Sequence, residues 1–114
     1  MVYMPEFSSP FSGRALNRRL THEELIRAIR FMIAAEYEAV QLYMQVAEST
    51  DNKMAIAILR DIADEERVHA GEFLRLLKEL IPEEEKFYAE GAREVEEEIE
   101  RLNKGEGVLS VSPT

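Results

Sequence analysis

The sequence predicts an all-α protein: an antiparallel hairpin of two long helices followed by a shorter C-terminal helix. Three observations carry that expectation. Glycine and proline are absent from Thr21 until Gly71, so the only interruption there is the cluster Ser49-Thr50-Asp51-Asn52, four residues with cap and turn chemistry. Apolar residues recur at three- and four-residue steps on both sides of that cluster. No segment alternates apolar and polar residues as a half-buried strand does, and no solenoid-type repeat is present.

The elements follow in order. Residues 1–20 read as a flexible N-terminal arm, holding Pro5, Ser8, Ser9, Pro10, Ser12 and Gly13 without lasting periodicity, with Arg14, Arg18 and Arg19 making its end basic. Thr21 opens the first helix, over about 22–48. It stands three residues before Glu24, the spacing at which each side chain satisfies the other's free backbone N–H. The second helix runs over about 52–80. Pro82 starts the third, because proline fits a first helical turn and not an interior. That helix ends near Asn103 and Gly105. The helical domain is therefore expected over 21–102, and 103–114 reads as a tail with a small apolar patch, GVLSVSPT.

Composition narrows the function. The chain has 114 residues, 46% of them apolar, which is one small domain with enough material for a core. Its 23 acidic and 14 basic residues give a net charge of −9. That balance argues against nucleic acid and anionic membrane surfaces as partners and favours cations. The absence of cysteine excludes disulfides, thiolate metal sites and cysteine nucleophiles. No apolar run approaches the ~18 residues of a membrane span, and the N-terminus lacks the apolar stretch of a secretory signal. The expectation is a soluble, cytoplasmic protein.

The helical stripes contain charges. In the first helix Ile29, Met32, Val40, Tyr43 and Ala47 share a face, and Glu36 fills the missing step. In the second, the line Ala55, Leu59, Ile62, Glu66, His69, Phe73, Leu76, Leu80 advances by alternating steps of four and three, a heptad seam. A carboxylate in such a seam costs several kcal/mol or takes up a proton unless it finds a partner. A structural reading makes the three ionisable groups a buried Glu–His pair or a polar layer that fixes register. The spacing favours metal binding. Residues i and i+3 lie one turn apart on one face, so Glu66 and His69 can hold one ion together. Carboxylate oxygens with one imidazole suit iron or manganese, and zinc less exclusively.

The helical di-iron carboxylate template takes one Glu from each of two helices and Glu-x-x-His from each of two others. This chain holds one of each, which is half a site. Two chains about a two-fold axis supply four helices, four Glu and two His for two metals. A second apolar line on the second helix, Ile58, Ala63, Ala70, Leu74 and Leu77, calls for further contacts with another chain or with the third helix.

The stretches AAEYEAVQLYMQVAE and ILRDIADEERVHAGEFLRLL resemble those of the encapsulated ferritins, a branch of the ferritin-like superfamily, and the resemblance covers about residues 21–102. It implies a four-helix bundle completed by dimerisation, with dimers assembling into an open ring, typically a decamer. It implies a ferroxidase that oxidises Fe(II) to Fe(III) with oxygen inside an encapsulin nanocompartment, two iron ions per dimer, with Mn, Zn or Ca as substitutes. Glu36, Glu66 and His69 match the iron ligands, Tyr43 the aromatic near the centre, and Glu38 one acid of a peripheral metal site. Two positions depart from the pattern: Ala35, where an acid can precede the ligand, and Leu42, where a Trp can precede Tyr43. The tail GVLSVSPT is either a peptide that docks into the shell or a plain chain end. A cage ferritin folds four long helices in one chain, which 114 residues do not accommodate.

Other residues read more plainly. Glu65 points about 100° away from Glu66 and belongs to the surface or the surroundings of the metal. Tyr37 packs, and His22 in the first turn is solvated or packs rather than ligating. The third helix sets an apolar line of Tyr88, Ala92, Val95, Ile99 and Leu102 against a dense glutamate face, which is solvated and also attracts cations. The ligand set alone does not separate a ferroxidase from a di-iron or di-manganese peroxidase or catalase-like protein, or from a non-catalytic helical oligomerisation module.

Overall fold

A computed structural model describes residues 15–105, and the chain divides into two compact units between Leu80 and Ile81. The first unit is a helical hairpin. Helix α1 spans His22–Ala47 and helix α2 spans Lys53–Leu80. The second unit is a 3₁₀ turn, Pro82–Glu84, running into helix α3, Glu85–Asn103. All three expected helices are present, and among the described residues there is no strand. The expected arm falls outside the described residues over 1–14, and the expected tail over 106–114.

Local chemistry sets the boundaries. The Glu24 amide donates to Thr21 Oγ1 (3.1 Å), and the Thr21 amide donates to Glu24 Oε1 (2.9 Å). This closes the reciprocal cap that the sequence predicts. Arg18 adds a two-pronged ion pair to the same carboxylate, at 2.7 and 2.8 Å. Arg18 and the Thr21 N–H together hold the Glu24 carboxyl at about 2. At the turn, Ser49 Oγ donates back to the Gln45 carbonyl (2.7 Å), and Asn52 Oδ1 accepts from the Ala55 amide (2.9 Å) to start α2. Gly105 ends α3 with φ of 80°, a left-handed conformation that suits a residue without Cβ.

The hairpin core is a single seam. Ile26, Ile29, Ile33 and Ala47 of α1 are buried, as are Ala63, Ala70 and Leu77 of α2. Extended by half-buried neighbours, the seams run 26, 29, 33, 36, 40, 43, 47 and 56, 59, 63, 66, 70, 73, 77, alternating steps of three and four. Alanines at 47, 63 and 70 let the two backbones approach closely. Two sequence expectations are corrected here. Met32 is 44% exposed, and Ile33 takes the inward place in α1. The line from Ala55 through Ile62 and His69 to Leu76 flanks the α2 seam, whereas Ala63, Ala70 and Leu77 of the second line fill it. The reason is that both helices are apolar over more than one face, so periodicity alone does not say which face meets the partner helix.

The open end of the hairpin is tied by His22. Its Nε2 lies 2.9 Å from the Leu80 carbonyl oxygen. As a donor it satisfies one of the last carbonyls of α2, which have no partner within their own helix. In the second unit Pro82 occupies the first turn. No residue of α3 is buried, and ion pairs such as Arg93–Glu97 (2.8 Å) lace its surface.

Candidate metal centre

Glu36 and Glu66 each occupy a seam position near the middle of their helices, and their side chains are only 16% and 17% exposed. Hairpin geometry brings the two levels together. His69 stands one turn beyond Glu66, on the edge of the seam, half exposed. Its Nδ1 lies 3.1 Å from Glu36 Oε2 and 3.6 Å from Glu66 Oε2. One donor atom from each of the three residues falls within 4.8 Å of the others, and this is the metal-ligand cluster found among the described residues.

The electrostatics of the cluster fit a cation. The Glu36 carboxyl is pushed above its ordinary value, first because it hydrogen-bonds Glu66, then by partial burial and the Glu66 charge, with His69 pulling the other way. Two carboxylates this close repel when both are ionised, so the pair favours a shared proton or a positive ion between them. Two oxygens and an imidazole nitrogen at this spacing suit iron or manganese. The geometry places both carboxylates to neutralise such an ion while His69 closes the donor set from the open side.

That open side is apolar. On α2, Ala55, Ile62, His69 and Leu76 repeat at seven-residue steps, and on α1 Met32, Ala39 and Val46 do the same. Glu36 meets His69, so these two lines flank the seam on one side. Met32, Val46, Ile58 and Leu76 are each between 42% and 52% exposed. The cluster thus sits in the middle of an uncovered hydrophobic face rather than in a closed pocket.

The remaining expected residues stand apart from the cluster. Tyr43 is half-buried on the same seam as Glu36, but seven residues further on, about 10 Å along the axis. Glu38 is exposed and lies about 200° around α1 from Glu36. Glu65 is exposed beside the site, and Tyr37 is 52% exposed on the opposite flank. Sequence reasoning missed the role of His22 in tying α1 to Leu80. No local signal carries it, because the partner is 58 residues away.

Comparisons with known proteins agree with this geometry. The sequence profile of the Rubrerythrin family matches residues 23–108. The encapsulin nanocompartment cargo protein EncC of Myxococcus xanthus is 39% identical over 102 residues, which is 90% of this chain and 74% of that protein. The ferritin-like–encapsulin shell fusion protein of Pyrococcus furiosus is 42% identical over 77 residues, 68% of this chain but only 22% of the fusion. The crystal structure of the encapsulated ferritin domain from Pyrococcus furiosus matches with a TM-score of 0.69 at 40% identity, covering 71% of this chain and 83% of that one. Profile, identity and fold agree: the chain belongs to the rubrerythrin family of ferritin-like proteins, with encapsulated ferritins among its relatives.

Proposed function

We propose that this protein is a ferroxidase whose site is shared between two copies, and that it works as cargo of an encapsulin shell in the cytoplasm. The observation that carries the reading is the Glu36–Glu66–His69 cluster, open on the His69 side, in the centre of an uncovered apolar face. One chain offers half of the carboxylate–histidine template, and a two-fold axis through that face supplies the other half. Fe(II) is the substrate, and iron bound there supplies the electrons that oxygen accepts. The protein's own part is to hold two carboxylates and one imidazole per chain, to exclude water by pairing apolar faces, and to draw cations with a net charge of −9. Glu38 and the acids of α3 would add to that attraction through their charge, and Tyr43 is read as the aromatic near the centre from the resemblance alone. The names of the relatives support the shell as partner. A ring, such as a decamer, is the expected assembly.

The test is an anaerobic Fe(II) titration of metal-free protein followed by an oxygen pulse. The expected result is saturation at one iron per chain, then a fast ferric absorbance that is lost in Glu66→Ala. Absence of saturable binding, with His69→Ala assembling as the parent does, would leave a structural helical module and overturn the reading. Turnover with hydrogen peroxide but not oxygen would assign the same ligands to a peroxidase.

A further inference from the structure

A thioether stands beside the metal cluster. Met32 comes four residues before Glu36, so the two share a side of α1 one turn apart, with Cβ atoms about 5–6 Å from each other. The antiparallel seam sets position 33 against 70 and 36 against 66, which brings Met32 level with His69 on the same flank. It is 44% exposed there. The rest of its line, Ala39 and Val46, is hydrocarbon, as are Ile62 and Leu76 on the α2 side.

The other methionines lie elsewhere. Met44 is half-buried, about 12 Å along α1 from Glu36. Met54 is 70% exposed, about 18 Å along α2 from Glu66. Met1 and Met4 fall outside the described residues. Since the chain has no cysteine, Met32 supplies the one sulfur atom beside the cluster among the described residues.

We infer that Met32 is a modification site, where hydrogen peroxide made at the cluster is consumed by forming methionine sulfoxide. The inference rests on the ferroxidase reading. Two Fe(II) give two electrons to oxygen, which takes up two protons and becomes hydrogen peroxide. The Met32 sulfur then attacks one peroxide oxygen, the O–O bond breaks, and the second oxygen leaves as water. Sulfur is oxidised by two electrons and peroxide is reduced by two. Position selects the target. Peroxide arriving from bulk solvent meets thioethers in order of exposure, so Met54 at 70% precedes Met32 at 44%. Peroxide made at the cluster meets Met32 first, because its side chain starts one turn from Glu36. Pairing of the apolar faces would sharpen the contrast by covering Met32 from solvent while keeping it beside the metal. The product is polar, so each transfer removes apolar surface from that face.

Peptide mass spectrometry tests it on the unmodified chain, with Met54 as the internal reference. Metal-free protein is loaded with Fe(II) without oxygen, then given oxygen in the presence of catalase, which destroys peroxide that reaches bulk solvent. A second sample takes hydrogen peroxide and no iron. The expected result with iron and oxygen is sulfoxide at Met32 in several-fold excess over Met54. With peroxide alone the order should reverse. Ferric absorbance is read on the same samples. If it appears while Met32 is oxidised no more than Met54, this inference fails and the ferroxidase reading stands. Loss of the Met32 sulfoxide on adding catalase would also overturn it, because the peroxide would then come from bulk solvent. So would preference for Met32 with peroxide alone, which would make its reactivity independent of the cluster. Absence of ferric absorbance overturns the ferroxidase reading and this inference with it.

Discussion

At the scale of single residues, the metal cluster works against the fold that holds it. Glu36 has a raised pKa, caused first by its hydrogen bond to Glu66, so the folded metal-free chain binds more protons than the unfolded chain does. Stability of the metal-free protein should therefore fall as pH rises above the ordinary value of 4.5 through the shifted one. Glu36→Gln should raise the melting temperature of the metal-free protein at neutral pH and remove the pH slope, while abolishing saturable metal binding. Thermal melts across that window, with and without Fe(II) or Mn(II), check both halves. A variant that melts lower without metal would show that the carboxylate pair is not repulsive. Glu24 has the opposite sign. Its pKa is held down to about 2 by Arg18 and Thr21, so its contribution is present above 4.5 and lost as pH falls through about 2. Glu24→Gln should flatten the acid side of the stability curve in that interval, and Thr21→Ala should cost about 1 kcal/mol.

At the scale of the elements, the spacing between α1 and α2 sets the geometry of the candidate metal cluster. Ala63 and Ala70 are 0% and 4% exposed, and they flank Glu66 on the seam. Ala70→Leu would force the helices apart at that level, at a cost of about 1–3 kcal/mol. Its effect on metal affinity should be larger than its effect on helix content, because the donors of Glu36 and Glu66 sit on opposite sides of the widened gap. Circular dichroism and Mn(II) binding on the same sample separate the two. His22 acts at the other end: His22→Ala should free the Leu80 carbonyl, cost about 1 kcal/mol or less, and leave metal binding intact. The helices themselves were legible in the sequence, since caps at Thr21 and Asn52, the turn at 49–52 and Pro82 are local signals. So was the meeting of Glu36, Glu66 and His69, because charged residues at the spacing of an apolar stripe are conspicuous. The phase of the seam was not legible. Ile33 and Met32 are both apolar, as are Ala63 and Ile62, and only the packed hairpin decides which of each pair turns inward. The tie from His22 to Leu80 was also out of reach, because it depends on two helix lengths matching over 58 residues.

At the scale of the whole molecule, the same ambiguity carries meaning. A helix with apolar residues on two faces has two surfaces to cover, and within one hairpin only the seam is covered. On the proposed function, the uncovered face around His69 is the surface on which a second copy would complete the ligand set, and pairing and metal binding would then share one free energy. Ile58 isolates the pairing term. It is 52% exposed on that face, eight residues and about 12 Å along α2 from Glu66, too far to ligate. Ile58→Glu should weaken pairing of the metal-free chain at least tenfold, which is about 1.4 kcal/mol, without changing the helical content. It should also shift the Fe(II) titration to higher free metal while leaving its endpoint at one ion per chain, because the added metal must now offset the weaker pairing. Sedimentation across protein concentration reads the first effect and calorimetry the second. If pairing weakens and the titration does not move, each chain holds its metal independently, and the shared centre gives way to a mononuclear one.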